Sequence, residues 1–424
     1  MAKYRHAKGP SPLQVIIIIL VIILSVALLV GAGFAVYHFA FEKEDVVETT
    51  PPTETKPATV EQVATEAPTE DPELKYTTLA QAYMDTMTED EKIYQMLVVT
   101  PEALTGVDVA TIAGDATKEA IETYPVGGIV YDAQNFEDKK QTTELIKKSQ
   151  SYAKTPMLIS VAEQGKDAPV SSALGTTAFE NMSAYENDSE QTAYDNAATV
   201  ARDISKFGFN MNLALTANLS GDNAYSSDTD TASKYVAEAV KAYEENGVIS
   251  TPGVFPTATD TDSPTDQLRS TTFMPFSSAI DAGADAIMVG DVTASIIDKD
   301  NPAFMSKNVV TELLIKELKF SGVVITPDLS ATTYTADEVV SGAISAGANI
   351  LLNPAGIDEY VTAVKTALKD GKITQAQIDE SVTKILALKY KYGIIPQPVT
   401  PTPSEINTLD STQESTLGTL TPAQ

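Results

Sequence analysis

The chain contains no cysteine and no tryptophan, and its only two histidines, His6 and His38, lie near the N-terminus. Without cysteine there is no disulfide, no thiolate nucleophile and no cysteine metal site. Beyond residue 38 no imidazole is available for general acid–base catalysis, and no indole is available to stack on a sugar ring. These absences exclude many catalytic arrangements before any motif is considered.

Basic residues are also scarce, with 29 Lys and Arg against 58 Asp and Glu, a formal net charge of -29. Nucleic-acid binding requires a basic surface, and the sequence contains no glycine-rich phosphate loop of either common type. We therefore expect neither nucleic acid nor a nucleotide as a partner, and we expect no cofactor and no metal site. The acidic balance is typical of a self-repelling surface outside the cell.

The N-terminal segment has the pattern of a membrane anchor. Residues 1–12 carry three basic residues and no acid, and residues 13–41 then carry no formal charge. A helix needs about 20 apolar residues to cross a bilayer, and this run is also longer than the apolar region of a cleaved signal peptide. The flanking charges place the N-terminus in the cytoplasm. The sequence predicts a single-pass signal-anchor in the cell membrane with the remaining chain extracellular; cleavage near Ala35 is the alternative.

Composition divides the rest of the chain into three parts. Residues 42–75 are rich in Thr, Pro and Glu and poor in large apolar residues, a composition that cannot bury a core, and residues 397–424 have the same character. Both are predicted to be disordered, one as a linker and one as a tail. The intervening residues 76–396 are predicted to form the folded domain.

Within that domain, eight short apolar segments alternate with amphipathic helical patterns such as those at 136–153 and 306–318. The predicted strands lie at 95–100, 127–131, 157–162, 210–215, 247–251, 285–289, 322–326 and 349–353. This alternation predicts an α/β fold, a (β/α)8 TIM-like barrel, with a doubly wound open sheet as the alternative.

Several segments together resemble the N-terminal barrel of glycoside hydrolase family 3, in its bacterial β-N-acetylglucosaminidase branch. The resemblance covers nearly all of residues 76–395, and its most similar segments are "PFSSAIDAGADAIMVGDV" at 275–292 and "NPAFMSKNVVTELLIKELKFSGVVITPDLS" at 301–330. It implies a barrel that hydrolyses β-N-acetylhexosaminides with retention, through a covalent glycosyl-enzyme.

The catalytic motifs depart from that family's pattern. The family's nucleophile is an Asp in a Thr/Ser-Asp-x-Leu segment that ends the seventh strand, and residues 326–329 have Thr-Pro-Asp-Leu, so that Pro327 occupies the nucleophile position. Proline can neither attack an anomeric carbon nor accept a proton. The family's Asp–His acid/base pair best matches Asp262 and Pro264, which leaves no imidazole.

The positions that contact sugar in the family are altered as well. Asn218 replaces an Asp, Asp291 replaces a His, and the family's Arg falls near Asn223, while Glu163 keeps one carboxylate of the strand-three motif. No residue is predicted to be catalytic by the family mechanism, with Asp328, Glu163 and Asp262 as fallback candidates. The candidates for substrate binding are Glu163, Asn218, Asp291 and Asp328. For Asp328 the competing interpretation is a loop carboxylate or a cap of the next helix turn, and for Glu163 it is an ordinary loop carboxylate.

Three functions remain open. The leading hypothesis is a membrane-anchored pseudoenzyme of the cell surface that binds peptidoglycan, another cell-wall glycan or a protein partner without hydrolysis. The second is an active β-N-acetylhexosaminidase in which Asp328 works with Glu163 or Asp262, about 5–5.5 Å apart as a retaining mechanism requires. The third is an envelope scaffold whose barrel mouth is filled by its own loops.

Overall fold

A computed structural model describes residues 72–256 and 263–398. Eight short, largely buried strands run parallel to one another, and most of their residues are aliphatic. They are β1 Leu97–Val99, β2 Gly128–Val130, β3 Leu158–Val161, β4 Met211–Asn212, β5 Ile249–Ser250, β6 Ala286–Met288, β7 Val323–Ile325 and β8 Leu351–Leu352.

The strands close into a barrel. Six of them form one ladder in the order β5-β4-β3-β2-β1-β8, and β6 pairs with β7. Single parallel bridges join the two groups on both sides, between Phe255 and Val289 and between Ile325 and Ile350. The Phe255 N–H donates to the Met288 carbonyl at 2.8 Å, and the Thr326 N–H donates to the Ile350 carbonyl at 3.0 Å. The carboxyl ends of all eight strands therefore surround one mouth.

Helices surround the barrel. In chain order they are α1 Pro72–Met84, α2 Glu89–Gln95, α3 Pro101–Thr105, α4 Asp115–Thr123, α5 Lys139–Tyr152, α6 Pro169–Leu174, α7 Glu190–Ser205, α8 Thr229–Glu245, α9 Thr265–Ser270, α10 Met274–Asp281, α11 Asn308–Glu317, α12 Ala336–Val339, α13 Ile357–Lys369 and α14 Gln375–Lys391. Three short 3₁₀ turns lie at Ala133–Asn135, Met182–Tyr185 and Ala303–Met305.

Two features of the sequence set local geometry at the start of the barrel. Thr88 and Glu91 form a capping box that begins α2, because the Thr88 hydroxyl accepts from the Glu91 N–H and the Glu91 carboxylate accepts from the Thr88 N–H. Gly127 precedes β2 where a Cβ would lie 2.0 Å from the Gln95 carbonyl oxygen. Only glycine lets β2 approach the segment that leads into β1 so closely.

The observed elements agree closely with those expected from the sequence. Each strand lies inside the corresponding predicted segment, and the barrel's closure excludes the doubly wound alternative. The predicted helices at 136–153 and 306–318 are α5 and α11. The second has wider turns than expected, since its last N–H, from Leu318, bonds to a carbonyl five residues back, at Leu313. Helix α1 begins at Pro72, ahead of the predicted start of the domain.

The structure leaves some of the predicted segments undescribed. Residues 13–41, residues 42–71 of the predicted linker and residues 399–424 of the predicted tail lie outside the described residues, as does Asp262. Within 72–256 and 263–398, no helix has both the length and the apolar character needed to cross a membrane.

A lysine is completely buried where α14 packs beneath the barrel. The Lys389 side chain has no solvent exposure, and its Nζ donates to the Gln95 amide oxygen at 2.8 Å. The Gln95 amide nitrogen in turn donates to the Pro125 carbonyl at 2.9 Å. Among the described residues no carboxylate pairs with this amine. Burial lowers the pKa of Lys389 to about 7, because the charged form loses its hydration without gaining a counter-charge.

We expect Lys389→Met to change how stability depends on pH. Between about pH 7 and the ordinary lysine pKa near 10.4, the unfolded chain holds more protons on this amine than the folded chain does. The free energy of unfolding therefore rises with pH in that window, by up to about 1.4 kcal/mol per pH unit from this group. Urea unfolding at pH 7.5, 8.5 and 9.5 measures the difference between wild type and variant.

The variant should be the more stable form at pH 7.5, and its advantage should shrink as pH rises. Lys372→Met removes a lysine from an exposed position and controls for the loss of one positive charge. Parallel stability profiles for wild type and Lys389→Met would contradict a buried, destabilising amine at this position.

Candidate functional site at the mouth of the barrel

A cavity of about 290 Å³ lies at the carboxyl ends of β4, β5 and β6. Its polar lining consists of Thr216, Asn218, Ser220 and Asn223, and its remaining lining residues are aliphatic residues, Met288 and glycines. Among the residues that the structure describes, no charged side chain lines it. A site of this composition favours an uncharged ligand that offers hydroxyl or amide groups.

The segment after β7 carries no carboxylate in the nucleophile position. Pro327 follows the buried Thr326, and Asp328 is exposed one residue later. The Asp328 carboxylate accepts from the Ser330 N–H at 2.8 Å and from the Asn353 amide at 3.0 and 3.2 Å. These contacts are those of a loop carboxylate that joins the segments after β7 and β8.

Glu163 is buried just beyond β3, and its carboxylate is used to begin a helix. One carboxylate oxygen accepts from the Val170 N–H at 2.7 Å and the other from the Ser171 N–H at 2.9 Å. These are N–H groups of the first turn of α6, which have no partner within the helix. Burial raises the pKa of Glu163, while these two backbone N–H groups act in the opposite direction. The side chain therefore caps the first turn of α6.

Asn218 lines the cavity but is held by a neighbouring backbone. Its amide oxygen accepts from the Val254 N–H at 2.9 Å, and its amide nitrogen donates to the Val254 carbonyl at 3.0 Å. The pair of bonds fixes the segment after β5 against the segment after β4. An Asp at this position would lose the second bond, because a carboxylate cannot donate to a carbonyl.

Asp291 follows β6 and does not line the cavity. Its side chain is exposed and has no hydrogen-bond or ion-pair partner in the part of the chain that the structure describes. Partial burial raises the pKa of Asp291. The structure therefore does not bring Asp291, Asp328 and Glu163 into one shared carboxylate cluster.

Three amide side chains at the mouth were not identified as site residues from the sequence. Asn212, at the end of β4, accepts from the Glu163 N–H at 2.9 Å and donates to the Glu163 carbonyl at 2.8 Å. Gln164 accepts from the Thr216 N–H at 2.9 Å. Asn353 holds Asp328. A polar amide inside an otherwise apolar strand segment, as in "NMNLAL", is the signal that would have identified Asn212.

Two amide atoms beside the cavity are buried without a partner, Nε2 of Gln164 and Oδ1 of Asn223. Asn223 lies directly against Gly165, where a Cβ would come within 2.0 Å of this oxygen, and Gly165 has a φ of 73°. Buried polar atoms without partners are uncommon in folded proteins and often mark functional positions.

Two tyrosines whose rings could in principle stack on a sugar belong to the core instead. Tyr131 and Tyr225 are 1% and 4% exposed, and the Tyr131 hydroxyl donates to Ser149. Within the described residues there is also no group of three or more His, Asp or Glu side chains arranged to hold a metal ion.

The fold and the mouth define a class, a (β/α)8 barrel protein whose polar residues gather at the carboxyl ends of its strands, where barrel enzymes bind their substrates. The model of the glycosyl hydrolase family 3 N-terminal domain matches residues 88–388, more than half of the chain. The chain belongs to glycosyl hydrolase family 3.

Curated relatives carry hexosaminidase names. The chain is 24% identical over 326 residues to "Beta-hexosaminidase A" of Pseudoalteromonas piscicida, a match that covers 64% of this chain and 54% of that protein. It is 28% identical over 276 residues to "Beta-hexosaminidase" of Stenotrophomonas maltophilia (strain K279a), covering 57% of this chain and 80% of that one. The chain thus spans about half the length of the first of these relatives.

A solved structure is similar over most of the barrel. It is a glycoside hydrolase family 3 β-N-acetylglucosaminidase from Paenibacillus sp. str. FPU-7, with 25% sequence identity and a TM-score of 0.67, covering 76% of this chain and 66% of that chain. A β-N-acetylhexosaminidase from Beutenbergia cavernae DSM 12333 shares the fold, with 21% identity and a TM-score of 0.64, covering 72% of this chain and 99% of that one.

We expect Glu163→Ala to lower the free energy of unfolding by about 1–3 kcal/mol, because two N–H groups at the start of α6 lose a buried acceptor. Asp328→Ala, at an exposed loop position, should change it by about 0.5 kcal/mol or less. Urea unfolding of wild type and both variants at pH 7 provides the comparison. A destabilisation by Asp328→Ala as large as that by Glu163→Ala would contradict the different roles assigned to the two carboxylates.

Proposed function

We propose that this protein is a cell-surface pseudo-glycosidase, a family 3 barrel that binds an uncharged glycan unit in its mouth and does not hydrolyse it. One observation carries the proposal: the described lining of the cavity at the mouth consists of amides, hydroxyls and apolar groups, with no carboxylate among them. Glu163 caps α6, Asp328 joins two loops, and Pro327 stands in the nucleophile position.

Retaining hydrolysis requires two carboxyl groups that act together on one glycosidic bond. Among the main influences on the pKa of Glu163, the only other carboxylate is Asp203, on α7, which raises it. The pKa of Asp291 is raised by burial alone. Both observations support a mouth without an interacting carboxylate pair in the described residues.

The cavity itself supports binding over a purely structural role. At about 290 Å³ it is near the lower limit of ligand pockets, which suits one sugar ring better than an oligosaccharide. Thr216, Asn218, Ser220 and Asn223 line it with hydroxyl and amide groups, which can donate to and accept from a neutral sugar. The hexosaminidase names of the relatives favour a ligand that contains N-acetylglucosamine, such as a peptidoglycan fragment.

The relatives' names also favour the second candidate, an active β-N-acetylhexosaminidase that uses substituted carboxylates. We expect the full chain to bind muropeptides and an aryl N-acetyl-β-glucosaminide with no release of the aryl group, and Asp328→Ala to leave both results unchanged. Calorimetry and absorbance measured on the same samples test binding and turnover together. Turnover that is abolished by Asp328→Ala would establish the enzyme and overturn the pseudoenzyme.

A pair of tryptophan variants locates the binding. Ser220 is an exposed residue at the rim of the cavity, so Ser220→Trp should fill the entrance and weaken muropeptide binding by about tenfold or more, equivalent to about 1.4 kcal/mol. Ser151→Trp adds the same side chain to an exposed position on α5, away from the mouth, and should leave binding unchanged. Equal effects of both variants would place the ligand elsewhere.

We also propose that residues 13–41 hold the protein in the cell membrane, with the barrel extracellular. The uncharged run, its basic preceding flank and its length support this assignment. In cells, the full chain should remain in the membrane pellet after alkaline carbonate extraction, and a form that lacks residues 1–41 should not. Release of the full chain by carbonate would rule out an integral anchor.

A further inference from the structure

A second cavity, of about 720 Å³, lies at the opposite end of the barrel from the mouth. Its walls are α1 and α14, and its inner end is formed by the segments that lead into β6 and β7, at Asp285 and Gly322. The floor is apolar and consists of Met84, Ile280, Ala284, Phe320, Val323 and Leu388. We call this cavity the α1/α14 groove.

The lysines of the α1/α14 groove are already neutralised. Lys391 pairs with Asp285 at 2.8 Å and with Glu244 at 3.2 Å, and Lys384 pairs with Glu380 at 3.6 Å. Asp379 pairs with Lys92 at 3.0 Å. These pairs leave neither lysine without a carboxylate partner, so the groove offers apolar surface without an open cationic site. This combination favours an uncharged occupant with aliphatic side chains.

The chain itself supplies a segment with this chemistry. Helix α14 forms one wall, and the described chain continues from its end at Lys391 to Pro398. Beyond it, residues 415–424, "STLGTLTPAQ", contain Leu417 and Leu420 and no charged residue. The segment that precedes α1, residues 42–71, carries carboxylates along most of its length and does not match.

The connection is long enough to reach the groove. The 17 residues of α14 span about 26 Å at 1.5 Å per residue. The chain from Pro398 to Ser415 can extend to about 56 Å at 3.3 Å per residue. Because the segment is attached to the wall of the groove, its effective concentration is in the millimolar range, and a weak intrinsic affinity is sufficient.

We propose that residues 415–424 bind in the α1/α14 groove, with Leu417 and Leu420 against its apolar floor. The segment then covers the contact between the first and last helices of the described barrel. It stabilises the end of the barrel that does not carry the candidate site, and the assignment is independent of what the mouth binds.

The absence of cysteine makes the full chain suited to a cross-linking test. The double variant Ala387→Cys/Leu417→Cys places one thiol in the groove and one in the segment, and a short bismaleimide should join them within one molecule. The control pairs Leu417→Cys with Ile112→Cys, a residue 75% exposed in the loop after β1, at the mouth end of the barrel. Peptide mapping by mass spectrometry identifies each cross-link.

The proposal predicts a rapid intramolecular cross-link at Ala387 and little at Ile112. Equal rates at both positions would show that the segment samples the surface without preference. A cross-link that joins two copies and grows with concentration would make the occupant a second chain. No cross-link at Ala387 would leave the groove without this occupant. Each of these three results overturns the proposal.

Hydrogen exchange in the full chain gives a second measurement that does not depend on cysteine chemistry. Leu417→Asp/Leu420→Asp should speed exchange in α1 and α14 by roughly threefold or more and leave β1 to β3 unchanged, because only the covered helices lose protection. The control Thr416→Asp/Thr419→Asp adds the same charge and keeps both leucines. Equal acceleration by both pairs would attribute the effect to charge and contradict docking of the leucines.

Discussion

The barrel depends on amide side chains that complete the backbone hydrogen bonding where its short strands end. No strand exceeds four residues, so many backbone groups beside the ladders need other partners. Asn210 accepts from the Ile159 N–H and donates to the Met157 carbonyl, and Asn349 accepts from the Val324 N–H. At the mouth, Asn212 and Asn218 do the same for Glu163 and Val254. Asparagine suits these positions because its side chain presents a donor and an acceptor in one plane, as the peptide group does.

This constraint explains how the mouth of the barrel keeps its shape. Polar residues that could face a substrate bond instead to the chain's own loops, and Glu163 satisfies the first turn of α6. Asn218 replaces a family carboxylate, and its second hydrogen bond exists only because an amide can donate to the Val254 carbonyl. The apolar strands beneath are buried whatever the mouth carries, since their packing does not involve the site residues.

The two ends of the barrel differ in the polar and apolar groups that they carry. At the mouth, the described lining of a small cavity consists of amides, hydroxyls and apolar groups, which suits recognition of a neutral polar ligand. At the other end, Lys389 is buried beneath the core and the α1/α14 groove exposes apolar surface between paired charges. A buried amine costs stability because it loses hydration, whereas an apolar groove gains stability when it is covered. Both features at that end involve α14. Lys389 joins α14 to Gln95 of α2, and the groove lies between α14 and α1.

The sequence by itself determined the positions of the eight strands, the proline at position 327 and the absence of any histidine beyond residue 38. Alternating apolar segments and residue identity carry that information locally. Only the tertiary structure decided that Glu163 caps α6 and that Asp328 is held by Asn353. It also decided that Asn223 lines the candidate site, while Asn212 and Gln164 bond to backbone groups near it. A side chain's role depends on which backbone groups lie within hydrogen-bonding distance, and those groups come from strands and loops far apart in the sequence. The α1/α14 groove could not be predicted from the sequence for the same reason, since its two walls, α1 and α14, are the first and last helices of the described chain.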